Sequence, residues 1–237
     1  KNDLEVNMIS MPYNLTEEQK ELVAIAKQIA EEKIKPLREK YDEDQLFPEE
    51  IVKILGNSDL YRVFIPEEYD GLGMGIFEMA LVTEELSRID GGIALAYAGS
   101  ALGAFPIILF GNEEQKKKYL PPIASGEKIA AFALTEPEAG SDAANIKTKA
   151  EKKDGYYLLN GTKQWITNGG YAGIHSVFAN VDFERGIRGV TAFIVDRDTE
   201  GFEIGKKENK LGIRASDTRE LIFNNCKVPV ENIIGRE

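Results

Sequence analysis

The sequence predicts an α+β protein, with an N-terminal all-α domain over residues 1–125 and a small β-barrel or sandwich domain over residues 126–237. Two observations carry this. Up to Pro121-Pro122 the apolar residues recur at helical spacing, and beyond that pair the period changes to two, with turn signals at short intervals. A hydrophobic fraction of 43% in 237 residues supplies enough apolar surface for a sizeable core.

In chain order, Thr16 and Gln19 form a capping box, and Leu22, Ile25, Ile29, Ile34 and Leu37 then recur at helical spacing until Pro36 and Asp42 disturb the pattern. A second helix opens at Pro48 in "FPEEIVKIL", and "IPEEYDGLGMG" has the Pro and Gly spacing of a loop. Residues 76–87 and 92–110 read as two further helices, the latter apolar on nearly every side and therefore buried. Asn112 and Gln115 cap a short helix that Pro121-Pro122 is expected to end. Beyond it, 129–134 is a strand-like run, and "KTKAEKKDGYYLLNGTKQWITNG" carries Asp-Gly and Asn-Gly turn signals between strands. "SVFANVD", "GVTAFIVD", "FEIGKK" and "RELIFNNCKVP" supply the remaining strands. No internal repeat stands out.

Composition excludes several function classes. Lys and Arg total 29 against 40 Asp and Glu, a net charge of −11 that disfavours binding to nucleic acid or to an anionic membrane surface. The single cysteine, Cys226, rules out an intrachain disulfide or a thiolate metal cluster and fits a reducing compartment. A histidine-based triad or metal site would rest on His175 alone, which lies in a strand-like segment and reads as structural. No apolar run is expected to reach the roughly 20 residues that cross a bilayer. The first fifteen residues show neither a signal peptide nor an Arg-rich transit pattern and begin with Lys. The protein is accordingly expected to be soluble, without membrane insertion, and cytoplasmic, or in the mitochondrial matrix if the source is eukaryotic.

Two segments carry chemistry. "AFALTEPEAGSDAANIKTKA" sets Thr135, Glu136, Glu138, Ser141 and Asp142 around a Pro-Glu-Ala-Gly turn, so that backbone N–H groups beside Gly140 and the hydroxyls of Thr135 and Ser141 suit a group rich in carbonyl or phosphate oxygens. "QWITNGG" places the only tryptophan, Trp165, next to Thr167 and a Gly pair. A flat apolar face beside a few placed donors is what a flat heterocycle such as an isoalloxazine uses. Read singly, the first segment is more simply an acidic surface turn and Trp165 a core residue with its N–H satisfied.

Together the segments resemble the acyl-CoA dehydrogenase family. "ALTEPEAGSDAA" matches the family signature, and "IPEEYDGLG", "FGNEEQKKKYLPPIASGE", "GTKQWITNGG", "LGIRASDTRELIF" and "VPVENIIG" match further family segments in the right order, from about Leu15 to Gly235. The short- and medium-chain straight-chain branch is the nearest in pattern. "YDGLG" and "LGNSDLYRVF" depart from the commoner family wording, outside the flavin motifs.

The resemblance implies an FAD enzyme of fatty-acid β-oxidation. It oxidises an acyl-CoA thioester to the trans-2-enoyl-CoA, passes electrons to an electron-transferring flavoprotein, and works as a homotetramer. It also implies that Phe132, Ala133, Leu134, Thr135, Gly140 and Ser141 line the flavin, with Thr135 at the pyrimidine edge and Ser141 near both pyrophosphate and substrate. Trp165, Ile166 and Thr167 would form the second flavin segment, with the Thr167 hydroxyl at N5. Ala94, Tyr97 and Ala98 would lie at the far end of the acyl pocket. Family members carry their catalytic glutamate on a second, C-terminal helical domain that is absent from this chain, so no catalytic base is assigned, and Glu136 is expected to serve loop structure. Two other readings stand beside this one: a non-catalytic flavin- or acyl-CoA-binding subunit completed by a partner chain, and a related flavin enzyme such as an acyl-CoA oxidase or a flavin-dependent hydroxylase.

Overall fold

The computed structural model describes residues 14–236, so the reading of the first thirteen residues lies outside it. Helix α1 (Glu17–Ile29) starts at the expected capping box: the Thr16 hydroxyl accepts from the Gln19 N–H at 3.2 Å and the Gln19 side chain accepts from the Thr16 N–H at 2.9 Å. Such a cap is worth about 1 kcal/mol. Its buried face is Leu22, Ala26 and Ile29, continued by a π-turn through Ala30 and Ile34, while Ile25 points outward. The expected apolar stripe is thus corrected by one position. Short α2 (Arg38–Glu43) follows Pro36, and α3 (Glu49–Asn57) opens after Pro48 and buries Ile51, Val52 and Leu55. Helix α4 is Ile76–Ser87.

Helix α5 (Gly91–Phe110) is the keel of the molecule, capped by the Asp90 carboxylate on the Ile93 N–H at 2.8 Å. Its twenty residues are, by length and composition alone, long and apolar enough to reach across a bilayer, contrary to the sequence expectation. Most of the helix is instead packed inside the protein, as a core helix that is apolar all round should be. Helix α6 (Glu113–Ala124) has the Asn112–Gln115 capping box but runs through Pro121-Pro122, which were expected to stop it. Proline's fixed φ is helical, and what the two rings remove is a pair of N–H donors in the last turn. Their carbonyls still accept, from Ser125 at 3.0 Å and Lys128 at 2.9 Å, and the chain turns only at Gly126, with φ +73.

The β-domain is one eight-stranded sheet in the order β6-β7-β3-β2-β4-β5-β8, with β1 (Ala130–Ala133) lying parallel beside β4. The other strands are β2 (Lys149–Lys152), β3 (Tyr156–Thr167), β4 (Ile174–Asn180), β5 (Val190–Asp196), β6 (Phe202–Lys207), β7 (Thr218–Pro229) and β8 (Ile233–Ile234). Strands that are not neighbours in the sheet touch through their rings. Tyr157 of β3 meets Phe193 of β5 at 5.2 Å, and His175 of β4 meets Phe202 of β6 at 4.8 Å. The sheet therefore curls until its two halves share a core. Asp154-Gly155 forms the β2–β3 turn as expected, but Asn160-Gly161 lies inside β3 at a register shift. Glycine serves close approach there: a Cβ on Gly161 would sit 2.5 Å from the Thr148 hydroxyl.

The two halves join along the small-residue side of α5. A Cβ on Gly103 would fall 2.6 Å from the Ala131 nitrogen, and one on Gly99 would fall 2.8 Å from the Thr167 methyl. Across this seam the Ala130 N–H donates to the Ser100 hydroxyl at 3.0 Å, and the Ser176 hydroxyl donates to the Gly103 carbonyl at 2.8 Å. The seam places β1 and the end of β3, and therefore both site segments.

Candidate functional site

Strand β1 runs out into the first segment, residues 134–142. Glu136 and Ala139 exchange backbone hydrogen bonds of 3.0 and 3.1 Å, which closes a tight turn over Pro137 and Glu138. The Glu136 side chain points inward and is buried. It accepts from Lys163 Nζ at 2.7 Å and from the backbone N–H groups of Lys147 and Thr148. Burial pulls its pKa upward, but the bonds from Lys163 and the two backbone groups outweigh that and hold the carboxyl below its ordinary range. Burial also lowers the pKa of Lys163, against the pull of Glu136. Glu136 is committed to holding its loop. Past it, Gly140 and Ser141 are exposed, and a Cβ on Gly140 would meet nothing within 4 Å.

The second segment lies against the first, because the Gln164 N–H donates to the Thr135 carbonyl at 2.9 Å. Along β3 the buried residues Tyr157, Leu159 and Lys163 stand at odd positions, with Gly161 against Thr148 between them, and continuing that alternation would bury Trp165 next. A register shift between Lys163 and Ile166, with Trp165 at φ +57, changes the phase. Ile166 turns inward in its place and Trp165 is left 54% exposed. A bulky side chain at positive φ is an outlier, and outliers of this kind cluster at ligand clamps.

Behind Trp165 the turn at 168–170 is fastened on several sides. Asn168, at φ +63, donates through Nδ2 to the Ala96 carbonyl of α5 at 3.0 Å. The buried Asp217 accepts from the Gly170 N–H at 2.7 Å and from Arg219 Nε at 2.8 Å. His175 Nε2 faces the Gly169 carbonyl at 3.3 Å, and burial above all pushes its pKa down to about 4, so it is neutral at pH 7. This bears out its reading as a structural histidine.

The expected site residues fall into three groups. Thr135, Gly140, Ser141, Trp165 and Thr167 are open or half-open along one edge of the β-domain. Phe132 and Leu134 line an apolar cleft of about 610 Å³, together with Leu102, Phe105 and Leu109 of α5 and Phe178 of β4. Ala133 and Ile166 have buried side chains and can offer only backbone. Of the expected acyl-pocket residues, Ala98 is half-buried on the α5 face that continues to the exposed Leu102. Ala94 and Tyr97 are turned into the core. The Tyr97 ring packs on Tyr61 and Phe64, and its hydroxyl donates to the Leu60 carbonyl at 3.1 Å.

Sequence reasoning missed Lys163, Asn168 and Asp217. A lysine at an inward position of an alternating strand signals a buried partner, and an Asn before Gly-Gly signals a left-handed turn. Nothing in the sequence pattern pairs Asp217 with Gly170. Among the described residues no cluster of three or more His, Cys, Asp or Glu could hold a metal ion. A flavin asks for a flat apolar face with hydroxyl and backbone donors beside it, and the Trp165 indole beside Thr135 and Thr167, with open space at Gly140, fits that need.

Comparison with known proteins agrees. The family "Acyl-CoA dehydrogenase, N-terminal domain" matches residues 16–127, and "Acyl-CoA dehydrogenase, middle domain" matches residues 131–226. A short-chain-specific acyl-CoA dehydrogenase of Clostridium acetobutylicum is 44% identical over 96% of this chain and 60% of its own length. The structure of butyryl-CoA dehydrogenase from Megasphaera elsdenii superposes with a TM-score of 0.92 and 41% identity, over 96% of this chain and 61% of that one. An acyl-CoA dehydrogenase complexed with FAD from Bacillus anthracis gives a TM-score of 0.87 and 38% identity, over 95% and 39%. The chain spans about three fifths of the length of the curated relatives it matches.

Proposed function

The chain belongs to the acyl-CoA dehydrogenase family, and on that premise we propose that it forms the helical and FAD-holding part of an enzyme that oxidises an acyl-CoA thioester to the trans-2-enoyl-CoA. The observation that carries this reading is the phase change in β3, which spends backbone strain to set Trp165 on the surface beside Thr135 and Thr167. FAD, when bound, supplies the acceptor for the hydride that leaves the β-carbon. The chain's own part is placement. Thr135 and Thr167 offer hydroxyl donors to the heterocycle, Trp165 offers its indole face, and the exposed Gly140 and Ser141 stand open to the phosphates and to the thioester end of the substrate.

Ala98 and the α5 face leading to Leu102 are proposed to border the acyl tail. In that case Ala98→Leu should shift the preferred acyl chain to shorter lengths, and an unchanged chain-length profile would take this helix out of the pocket. Removal of the α-proton needs a carboxylate beside the α-carbon. Glu136 is not that group, since its carboxylate is occupied by Lys163 and two backbone donors. The base is proposed to come from the second helical domain that the family resemblance implies, which would also cover the apolar cleft and the exposed Leu109 and Phe110. An electron-transferring flavoprotein as acceptor and a homotetrameric assembly rest on the same resemblance.

Titration of the 237-residue chain with FAD tests the binding half. Saturable uptake with a perturbed flavin band is expected, weakened in Trp165→Ala, and no uptake by the unaltered chain would overturn the proposal. Anaerobic butyryl-CoA or octanoyl-CoA should leave the flavin of this chain oxidised. Bleaching that disappears in Glu136→Gln would show that Glu136 is the base after all.

A further inference from the structure

Lys163 and Glu136 form a buried ion pair whose side chains are 0% and 5% exposed. A buried pair of this kind is poor value as a source of stability, because desolvation offsets most of the attraction. Its geometry shows another use. Lys163 is the last inward residue of β3 before the phase change, and its Nζ donates both to the Glu136 carboxylate at 2.7 Å and to the Leu134 carbonyl at 2.9 Å. Glu136 and Leu134 flank Thr135, whose own carbonyl accepts from Gln164, the residue between Lys163 and Trp165. Three consecutive residues of one segment thus grip two consecutive residues of the other.

Without that grip, β3 has a simpler course. Continuing its period of two would pair it regularly with β7, relieve the positive φ, and turn the indole inward. Beyond the bulge Ile166 pairs with Arg219 of β7 and its carbonyl accepts from the Gly169 N–H at 3.2 Å, but its burial does not by itself select a phase, because an indole is equally apolar.

We propose that the buried Lys163–Glu136 pair is a positioning device for Trp165, which fixes the strand phase that displays the indole and sets its distance from Thr135. The inference deepens the reading of this edge as the flavin site and rests on it for its functional meaning, though not for its geometry.

The test uses a double variant, Lys163→Met/Glu136→Gln, which removes both charges at nearly constant volume and leaves no unpaired buried ion. Trp165 is the only tryptophan in the chain, so its fluorescence reports its exposure without any cofactor. The double variant is expected to melt somewhat below the unaltered chain, since Gln can accept from only one of the Lys147 and Thr148 N–H groups, but to stay folded, to show at least about a twofold drop in acrylamide quenching of Trp165, and to bind FAD about tenfold more weakly. A purely structural pair would leave the quenching unchanged once the fold is retained, and unchanged quenching with unchanged FAD affinity overturns the proposal. Where the double variant does not fold, Glu136→Asp, which keeps the charge and shortens its arm, should lower the quenching in the same direction, and unaltered quenching there overturns the proposal equally. If the unaltered chain takes up no FAD, the functional reading fails while the quenching comparison still decides the positioning claim.

Discussion

Residues 134–142 and 164–170 meet at one edge of the β-domain but are secured differently. The first segment is held at its start, where Leu134, Thr135 and Glu136 bond to Lys163 and Gln164 and Glu136 to the Lys147 and Thr148 N–H groups, and beyond Ala139 its Gly140 and Ser141 are exposed. The second is fastened from three directions: by Asn168 to α5, by Asp217, just before β7 and itself held by Arg219, and by His175 of β4 beneath Gly169. A loop pinned at one end can adapt to a bound group, whereas one pinned all round presents a fixed surface. This is the division of labour that a flexible pyrophosphate and a rigid ring would ask for.

Both segments share one root, the α5–β1 seam, so breaking it should abolish the contrast altogether. Gly103→Val places side-chain atoms where the Ala130 and Ala131 backbone already sits, at 2.6–2.8 Å, and backbone cannot swing aside. A cost of about 3 kcal/mol is expected, which for a chain of this size is a fall of roughly 6–12 °C in Tm, with FAD uptake lost as well. An unchanged melt would show that the seam is looser than its distances imply.

Acid should act on the fixed segment through His175. Its folded pKa of about 4 lies below the ordinary 6.5, chiefly through burial, with Arg197 lowering it and Asp196 and the Gly169 and Val195 backbone raising it. Between those values the unfolded chain takes up a proton that the folded chain refuses. The stabilisation is therefore complete above pH 6.5 and is lost as pH falls toward 4. At pH 5 this group alone should cost about 2 kcal/mol relative to pH 7.5. In melts at the two pH values, His175→Gln should lose less stability on acidification than the unaltered chain, and an identical loss in both would remove the histidine from the account.

A smaller effect, about 1.5 kcal/mol, is expected for Asn168→Ala, which removes the bond to the Ala96 carbonyl and puts an alanine at φ +63. Asn168→Gly should recover the backbone share and not the hydrogen bond. If the two variants melt together, the left-handed conformation costs nothing here and the turn is held by its other fastenings.

The contrast between the segments also separates what was legible in the sequence from what was not. Caps, strand periodicity and the buried α5 were readable because each depends on residues a few positions apart, as Thr16 with Gln19 or Asn112 with Gln115. The family was readable because Thr135, Ser141 and Trp165 stand in runs that match its motifs, and the structure leaves these three open or half-open. What failed depends on the third dimension. Asn160-Gly161 carries a turn's sequence but lies in a strand, because Thr148 passes too close for a side chain. Tyr97 looked like a pocket residue and is a core residue, because Leu60, 37 positions away, takes its hydroxyl. The alternation of β3 even predicts the wrong side for Trp165, and only the bulge corrects it.

The smallest expected change in stability gives the sharpest test of the loosely held segment. A Cβ on Gly140 meets nothing within 4 Å, and the position has no positive φ, so Gly140→Ala should change stability by less than about 0.5 kcal/mol. The open space invites a reason for the glycine other than folding. If the backbone there lies against the cofactor, a methyl group intrudes on that approach, and FAD affinity should fall several-fold while the melt of the cofactor-free chain stays in place. The parallel change at Gly99, where a Cβ would press on Thr167 at 2.8 Å and Asn168 at 3.0 Å, should lower stability and affinity together, because there the glycine serves the fastened segment. Equal behaviour of the two alanine variants would erase the distinction between an adaptable and a fixed loop. Unchanged FAD affinity in Gly140→Ala would remove the Gly140 backbone from the proposed cofactor contacts.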